Sequence, residues 1–213
     1  MYINSEMQIS LHIEEKNDYT SKKHHMTPSN NYNNKCFIEK YKPTNISDTV
    51  YNNEFKHVLY GLIEMHFLNI LLKGERSSGK SILIDCLIYD YYKEFIVNKH
   101  LYNSRNDENI WYFNCLNEQG INGFRMSLKN FCQTRCSYSG KKKLIILDDI
   151  DTLNEQNQQI IRSNLDKYSS NICFISSCSN LNKVIDSLQS RLHILKVPVI
   201  NDQHMTSIYN KVV

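Results

Sequence analysis

One segment of the sequence has residue types and spacing that suit it to binding a phosphate group. Residues 74–81 read G-E-R-S-S-G-K-S and match the pattern G-x-x-x-x-G-K-[ST]. Gly74 and Gly79 permit backbone conformations that turn N–H groups toward an anion. Lys80 adds a positive charge near the terminal phosphates, and the Ser81 hydroxyl is suited to ligate Mg²⁺. The loop therefore predicts a site for phosphate and Mg²⁺.

Two carboxylates follow an apolar run further along the chain. Residues 144–147 read L-I-I-L, and Asp148 and Asp149 come directly after them. Asp148 is suited to hold the water shell of Mg²⁺, and Asp149 to polarise an attacking water molecule. A pair of acids at a strand end is by itself more often a solvated turn. Its place after a phosphate loop favours the functional interpretation.

The elements that must position these residues alternate between strands and helices. Apolar runs predict strands near residues 67–73, 110–113, 144–147, 172–175 and 193–197. Apolar residues at helical spacing predict helices near residues 80–98, 122–132 and 155–168. Strands that are apolar throughout and that alternate with helices are typical of a parallel sheet covered on both faces.

Composition excludes several classes of protein. The chain has 213 residues, a net charge of +3 and only 6 Gly and 3 Pro, so it fits one ordinary domain with a tail. Its 7 Cys form no CxxC pair, which favours a reducing compartment. No apolar run approaches the ~20 residues that cross a bilayer, and residues 1–10 do not have the pattern that predicts a secretory signal. We expect an intracellular protein without a membrane partner.

Four stretches besides the phosphate loop resemble one known family. Residues 37–43 (F-I-E-K-Y-K-P) are similar to its W-V-E-K-Y-R-P box, and residues 114–121 to its N-A-S-D-E-R-G-I stretch. Residues 147–151 are similar to L-D-E-A-D, and residues 183–192 to K-I-I-E-P-I-Q-S-R-C. In order and spacing these stretches resemble the AAA+ core of clamp-loader small subunits, the replication factor C type.

The resemblance implies an α/β AAA+ P-loop NTPase core, a five-stranded parallel sheet sandwiched by helices, with ATP and Mg²⁺ as cofactors. It implies an adenine pocket lined by Tyr41, Lys42, Pro43 and Val50. The residues that hold phosphate and Mg²⁺ would be Gly74, Ser78, Gly79, Lys80, Ser81 and Asp148, with Ser81 and Asp148 nearest the metal. The residues with catalytic roles would be Asp149 as the carboxylate that polarises the attacking water, Ser179 at a sensor position, and Arg191 as an arginine finger on ATP bound by a neighbouring subunit.

The sequence departs from the family at several of these positions. Residues 75–78 read E-R-S-S where the family has P-P-G-T, so an acid and a bulky side chain can crowd the phosphates. Asp149 replaces a Glu that is one methylene longer, and Ser179 replaces an Asn. From its composition and the extent of the resemblance, we expect the chain to contain three segments. These are a flexible or weakly ordered segment (1–35), the ATPase core (36–200) and a short tail (201–213). The family's helical lid and collar are not expected in it.

Three functions remain open from the sequence. The first is a clamp-loader-like ATP-binding subunit that acts in DNA replication and uses ATP at subunit interfaces to load a sliding clamp. Its partners would be other clamp-loader subunits, the clamp and primed double-stranded DNA, in the nucleus or at a viral replication site. The second is a non-hydrolysing structural AAA+ subunit or interaction module, in which the altered loop, Asp149 and Ser179 mark decay. The third is another AAA+ replication or repair ATPase.

Basic residues offer a further possibility of DNA contact. The run at residues 141–143 is K-K-K and precedes the strand that carries the acids. Such a run can bind DNA phosphates, but before a buried strand it is more often a solvated turn.

Overall fold

The computed structural model describes residues 36–97, 102–115 and 121–212. The chain divides into two units, Met1–Lys40 and Tyr41–Val213. Of the first unit only residues 36–40 are described, and they begin helix α1, Phe37–Tyr41. The segment 1–35, which the sequence predicts to be flexible or weakly ordered, lies outside the described residues.

The described residues of the second unit contain five strands and a set of helices that alternate with them. The strands are β1 (Ile70–Lys73), β2 (Ile110–Asn114), β3 (Lys143–Asp148), β4 (Ile172–Cys178) and β5 (His193–Lys196). The helices are α2 (Asn53–Glu64), α3 (Lys80–Tyr92), α4 (Ile121–Gln133), α5 (Glu155–Tyr168), α6 (Asp186–Gln189) and α7 (Asp202–Val212). Single 3₁₀ turns lie at Ser104–Asn106, Ile150–Thr152 and Leu181–Lys183.

The five strands form one parallel sheet in the order β2-β3-β4-β1-β5. This arrangement confirms the predicted five-stranded parallel sheet. The order matters for the site, because β1 and β3 are not neighbours: β4 lies between them and pairs with both. The carboxyl ends of these three strands therefore meet at one edge of the sheet, where α/β proteins bind ligands.

Both faces of the central strands β1, β3 and β4 are buried, as their apolar runs predict, whereas the edge strand β5 is mostly exposed. On one face Ile70 and Leu72 of β1 share a core with α3 residues such as Leu87. On the other face Leu71 shares a core with Ile161 of α5, because successive strand residues point to opposite faces. The two cores hold the strand ends at fixed spacings, so truncating a central leucine to alanine would cost about 2–5 kcal/mol.

Strand β1 begins at Ile70, three residues later than the sequence predicts. The preceding residues close helix α2: His66 has a left-handed backbone (φ 56°), and the N–H of Phe67 donates to the carbonyl oxygen of Leu62 at 3.0 Å. This is the bonding pattern of a helix C-terminus, which leaves Phe67 57% exposed. The prediction that Phe67 belongs to the strand is therefore wrong, because this apolar residue lies in the turn that closes helix α2.

Two other elements extend beyond the sequence expectation. Strand β4 continues to Cys178, past the apolar run that ends at Ile175, because β1 pairs with it as far as Cys178. The segment 201–213, expected as a short tail, contains helix α7 at residues 202–212.

Candidate functional site

The loop between β1 and α3 has the geometry of a phosphate cradle. Gly79 caps α3 in a left-handed conformation (φ 86°), and Ser77 also has a positive φ of 61°. A Cβ atom on Gly79 would lie 3.0 Å from the Tyr51 hydroxyl oxygen, and one on Gly74 would lie 2.8 Å from Ser78 Oγ. Neither glycine position therefore accepts a side chain without displacing its neighbours.

Lys80 lies across this loop. Its side chain is buried, and Nζ donates to the carbonyl oxygens of Gly74 at 2.9 Å and Glu75 at 2.7 Å. The ammonium group thus ties the loop's start to the first turn of α3 and places a positive charge inside it. Glu75, whose acid was expected to crowd the phosphates, is exposed and does not line the cleft beside the loop.

The two acids at the end of β3 lie directly opposite the loop. Asp148 Oδ2 accepts hydrogen bonds from Ser81 Oγ at 2.9 Å and from the Tyr112 hydroxyl at 3.1 Å. Asp148 Oδ1 accepts one from Ser177 Oγ at 2.6 Å. The Ser177 oxygen in turn accepts the N–H of Asp149 at 2.9 Å. The structure therefore brings the phosphate loop and the predicted acids together across β4.

Asp149 has an unusual backbone and an unfavourable electrostatic environment. Its φ is 56°, a left-handed conformation that is uncommon for a residue other than glycine. Burial raises the pKa of its carboxyl group, and the charges of Asp148 and Asp151 raise it further, although Lys80 and Arg76 oppose them. Three acids at one strand end favour the binding of a cation.

A cleft of about 580 Å³ opens beside the loop and the acids. It is lined by Arg76, Ser77, Gly79, Lys80, Ser81, Ile82, Asp149, Asp151, Thr152 and Ser179. Ser179, for which the resemblance implies a sensor position, is among these lining residues. Asp151 holds the turn that carries it, because its Oδ2 accepts the N–H groups of Ser179 at 3.3 Å and Asn180 at 2.9 Å.

The residues predicted for the adenine pocket do not line this cleft, and two of them contact α3. Lys42 Nζ forms a salt bridge with Asp85 Oδ2 at 2.5 Å, and the carbonyl oxygen of Pro43 accepts the Cys86 thiol at 3.5 Å. Tyr41 is 38% exposed and Val50 is partly buried. The structure places Lys42 and Pro43 against α3, and none of the four predicted residues lines the cleft beside the phosphate loop.

Tyr51, which follows Val50, connects that segment to the phosphate loop. Its hydroxyl donates to the carbonyl oxygen of Ser78 at 3.0 Å, and burial raises the pKa of this phenol to about 12. The phenol therefore stays protonated and remains a donor at physiological pH. Sequence reasoning did not identify Tyr51, since it belongs to no motif.

Arg191 lies away from the cleft, in the turn after α6. Its Nε donates to Asp166 Oδ1 at 2.6 Å, and its Nη1 donates to the carbonyl oxygen of Ser187 at 2.6 Å. The hydrogen bond from Arg191 holds the pKa of Asp166 below its usual range. The side chain is not among the residues that line the cleft, so it has no contact with this chain's own predicted phosphate site.

The donor atoms fit Mg²⁺. The Ser81 hydroxyl and the Asp148 carboxylate, 2.9 Å apart, are hard oxygen ligands of the kind that Mg²⁺ prefers. Among the described residues no group of three or more His, Cys, Asp or Glu side chains is arranged to hold a metal. Phosphate-associated Mg²⁺ sites need no such group, because one or two protein ligands suffice beside water and phosphate oxygens.

Two residues that touch the acids were missed by sequence reasoning. Tyr112 lies on β2 and Ser177 on β4, the two strands that flank β3. Trp111 and Phe113, which alternate with Tyr112, pack against the core beneath α4 and α5. The strand order would have been the signal, because side chains at the carboxyl ends of adjacent parallel strands share one edge.

The described residues include no helix with the length and apolar character needed to cross a bilayer. Among solved structures, a variant of Thermotoga maritima RuvB is similar in fold, with a TM-score of 0.60 and 14% identity over 83% of this chain and 54% of that one. This likeness supports the α/β fold class.

Several curated relatives are replication factor C subunits. Subunit 4 of Saccharomyces cerevisiae is 28% identical over 78% of this chain and 49% of its own length. The small subunit of Methanococcus vannielii is 30% identical over 76% and 49%, and a putative small subunit of Acanthamoeba polyphaga mimivirus is 29% identical over 79% and 48%. The chain thus spans about half the length of the curated relatives it matches.

These relatives confirm the predicted resemblance to replication factor C small subunits. A family described as the AAA domain matches residues 67–201, which include the phosphate loop, both acids, Ser179 and Arg191. The matched region covers more than half of the chain. The chain therefore belongs to the AAA domain family.

Proposed function

We propose that this chain is an ATP-binding subunit of the clamp-loader type that acts in DNA replication. It uses ATP binding and hydrolysis at subunit interfaces to load a sliding clamp on primed DNA, in a nucleus or at a viral replication site. The observation that carries the proposal is the contact between Ser81 and Asp148 at 2.9 Å, which joins the phosphate loop to the acids. The similarity to replication factor C subunits supports the clamp-loader assignment.

In this proposal each residue of the cleft has a defined task. Lys80 releases the loop carbonyls and binds the terminal phosphates, while backbone N–H groups of residues 74–79 surround them. Ser81 and Asp148 hold Mg²⁺, which when bound neutralises charge that develops on the phosphates. Asp149 polarises the attacking water, and Ser179 lies beside the terminal phosphate.

The position of Arg191 supports a site shared between two chains. Arg191 does not line its own chain's cleft, and its side chain is 32% exposed. A guanidinium that enters a neighbour's cleft stabilises the charge of phosphoryl transfer and couples hydrolysis to assembly. The partners proposed are therefore other clamp-loader subunits in a hetero-oligomer, together with the sliding clamp.

A basic groove supports the proposed contact with DNA. It lies between α4 and α5, has a volume of about 550 Å³, and includes Arg125, Lys129 and Lys167 in its lining. Three cations on one groove are suited to bind a phosphate backbone. By contrast, Lys143 is buried with its Nζ on Thr134 Oγ1, and Lys142 Nζ donates to the carbonyl oxygen of Ser169, so that run serves the fold.

A non-hydrolysing structural subunit is the second candidate. The observation that favours it is Asp149, whose side chain is one methylene shorter than the Glu that the family has at this position. In that case the chain binds ATP but does not hydrolyse it, and Arg191 is its contribution to the neighbour's reaction. Hydrolysis by assemblies that carry Asp149→Glu distinguishes the two: a large gain over wild type favours the structural subunit.

The test is equilibrium binding of a fluorescent ATP analogue with Mg²⁺. Lys80→Ala should weaken binding by about 100-fold, because hydrogen bonds to charged phosphates are lost. The matched control is Lys93→Ala, which removes an exposed lysine from the far end of the same helix and should leave affinity unchanged. A folded wild-type chain that binds no ATP would overturn the proposed function.

A further inference from the structure

We propose that Ser177 is a positioning residue that fixes both acids of the metal side of the site, an inference that rests on the proposed function. Ser177 lies one residue before the end of β4, the strand between the phosphate-loop strand β1 and the acid-bearing strand β3. Neither the phosphate-loop pattern nor the acidic strand end includes this residue.

The Ser177 hydroxyl serves both acids at once. It donates its proton to Asp148 Oδ1 at 2.6 Å and accepts the backbone N–H of Asp149 at 2.9 Å. A hydroxyl has one proton and two lone pairs, so the two bonds are compatible. The 2.6 Å distance is typical of a hydroxyl bound to an ionised carboxylate, which is the stronger class of hydrogen bond.

The first bond fixes the orientation of the Asp148 carboxylate. Oδ1 is held by Ser177, while Oδ2 faces Ser81 and Tyr112. Rotation of the carboxylate would break the bond to Ser177. The oxygen beside the phosphate loop is therefore kept facing Ser81, where Mg²⁺ would bind.

The second bond fixes the backbone of Asp149. This residue has a φ of 56°, which L-residues rarely adopt, and its N–H points at Ser177. In this conformation the Asp149 side chain lines the cleft. Ser177 thus acts through the backbone on the acid proposed to polarise water, and through a side chain on the acid proposed to hold Mg²⁺.

The adjacent residue shows that burial alone does not explain these bonds. Ser176 is as fully buried as Ser177, at 0% exposure, yet among the described residues its Oγ has no hydrogen-bond partner. The two serines are successive residues of β4, so their side chains point to opposite faces of the sheet. Ser176 therefore provides a matched control for loss of a buried hydroxyl.

The experiment measures the affinity for a fluorescent ATP analogue with Mg²⁺ and with EDTA, and takes the ratio as the Mg²⁺ enhancement. Ser177→Ala should lower this enhancement about 10-fold, the effect typical of removing a residue that orients a metal ligand. Affinity in EDTA should stay unchanged, and Ser176→Ala should retain the wild-type enhancement. Ser177→Cys, which keeps most of the volume but is a weak donor, should also lose it.

The outcomes separate this inference from the proposed function. A wild-type chain that binds no analogue in either buffer overturns both. A wild-type chain that binds with Mg²⁺ enhancement, while folded Ser177→Ala or Ser177→Cys retains it in full, overturns only the positioning role. Equal losses in Ser176→Ala and Ser177→Ala also overturn it, because they would indicate general damage to β4. A wild-type chain that binds the analogue without any Mg²⁺ enhancement likewise overturns the positioning role of Ser177.

Discussion

The acidic side chains of the phosphate-loop cleft and of the Arg191 turn have pKa values that are shifted in opposite directions. In the cleft, Asp149 lies near Asp148 and Asp151, and burial and these neighbours raise the pKa of its carboxyl group. At the turn, Asp166 binds Arg191, and this contact lowers the pKa of its carboxyl group. The cleft thus carries acids that a cation would stabilise, whereas the acid at the turn already has its cation.

The difference indicates how each region is completed. At the cleft, Asp148, Asp149 and Asp151 outnumber the two cations Lys80 and Arg76, so bound Mg²⁺ would offset the remaining acidic charge. Arg191 is paired with Asp166 within this chain and its side chain is only partly exposed, so its entry into a neighbour's cleft would have to replace that pairing. Under the proposed function, one chain supplies complementary parts of two different sites.

The largest effect expected is on hydrolysis after loss of Arg191. Arg191→Ala should lower ATP hydrolysis by the complex with partner subunits about 10³-fold, the contribution of an arginine finger, without changing ATP affinity of this chain. Arg135→Ala removes another exposed arginine and should change neither quantity. Loss of this chain's own ATP affinity in Arg191→Ala would break the division between the two regions.

A smaller effect is expected from adding a methyl group to the loop. Gly79→Ala and Gly140→Ala should each lower the free energy of unfolding by about 1–2 kcal/mol, because both glycines have positive φ, 86° and 74°. Only Gly79→Ala should also weaken ATP binding, by about 10-fold, since its Cβ meets the Tyr51 hydroxyl oxygen and disturbs the N–H cradle.

Urea unfolding and analogue binding measure these two quantities for the glycine pair. Gly140 has no atom within 4 Å of an added Cβ, so it isolates the backbone strain. If Gly140→Ala weakened ATP binding as much as Gly79→Ala, the loss of binding would reflect overall stability. The predicted local role of Gly79 in the phosphate cleft would then be wrong.

The smallest effects expected are two pH-dependent changes of opposite sign. The raised pKa of Asp149 means that its charge opposes folding above that pKa, so Asp149→Asn should stabilise the fold at pH 7 and lose this advantage as pH falls through the folded pKa. The lowered pKa of Asp166 means that its charge favours folding, so Asp166→Asn should destabilise the fold at pH 7.

The two acids also differ in the pH window of their effects. The Asp166 contribution should persist down to its ordinary pKa, near 3.9, and disappear as pH falls through its lower folded pKa. Urea unfolding at pH 7, 5 and 3 checks both variants against wild type. Changes of the same sign in the two variants at pH 7 would contradict the electrostatic contrast between the regions.

Much of the fold could be predicted because every strand is either buried or directly adjacent to a recognisable motif. The apolar runs located β1 to β5, and the phosphate-loop pattern located the start of α3 at Lys80. The boundaries failed where tertiary contacts override composition. Phe67 closes helix α2 despite its apolar side chain, and β4 continues through Ser176 and Ser177 because β1 pairs with it.

Some residues of the candidate site could also be predicted from the sequence, and others could not. The sequence alone identified the loop, Asp148 and Asp149, because phosphate and Mg²⁺ chemistry requires those residue types at that spacing. Ser179 was selected by the resemblance to the clamp-loader family, and it lines the cleft. Strand order, in contrast, is not encoded in any local pattern. Without it there was no reason to select Ser177 from among the serines of the chain, or Tyr112 from an aromatic run.

The sequence by itself therefore determined that this chain has a phosphate loop, an acidic strand end and a parallel sheet, since each depends on residues close together in the chain. Only the tertiary structure decided that β4 lies between β1 and β3, and that its Ser177 joins both acids. The physical reason is distance: hydrogen bonds act over about 3 Å, and residues 29 positions apart reach that range only when the sheet sets strand order and register.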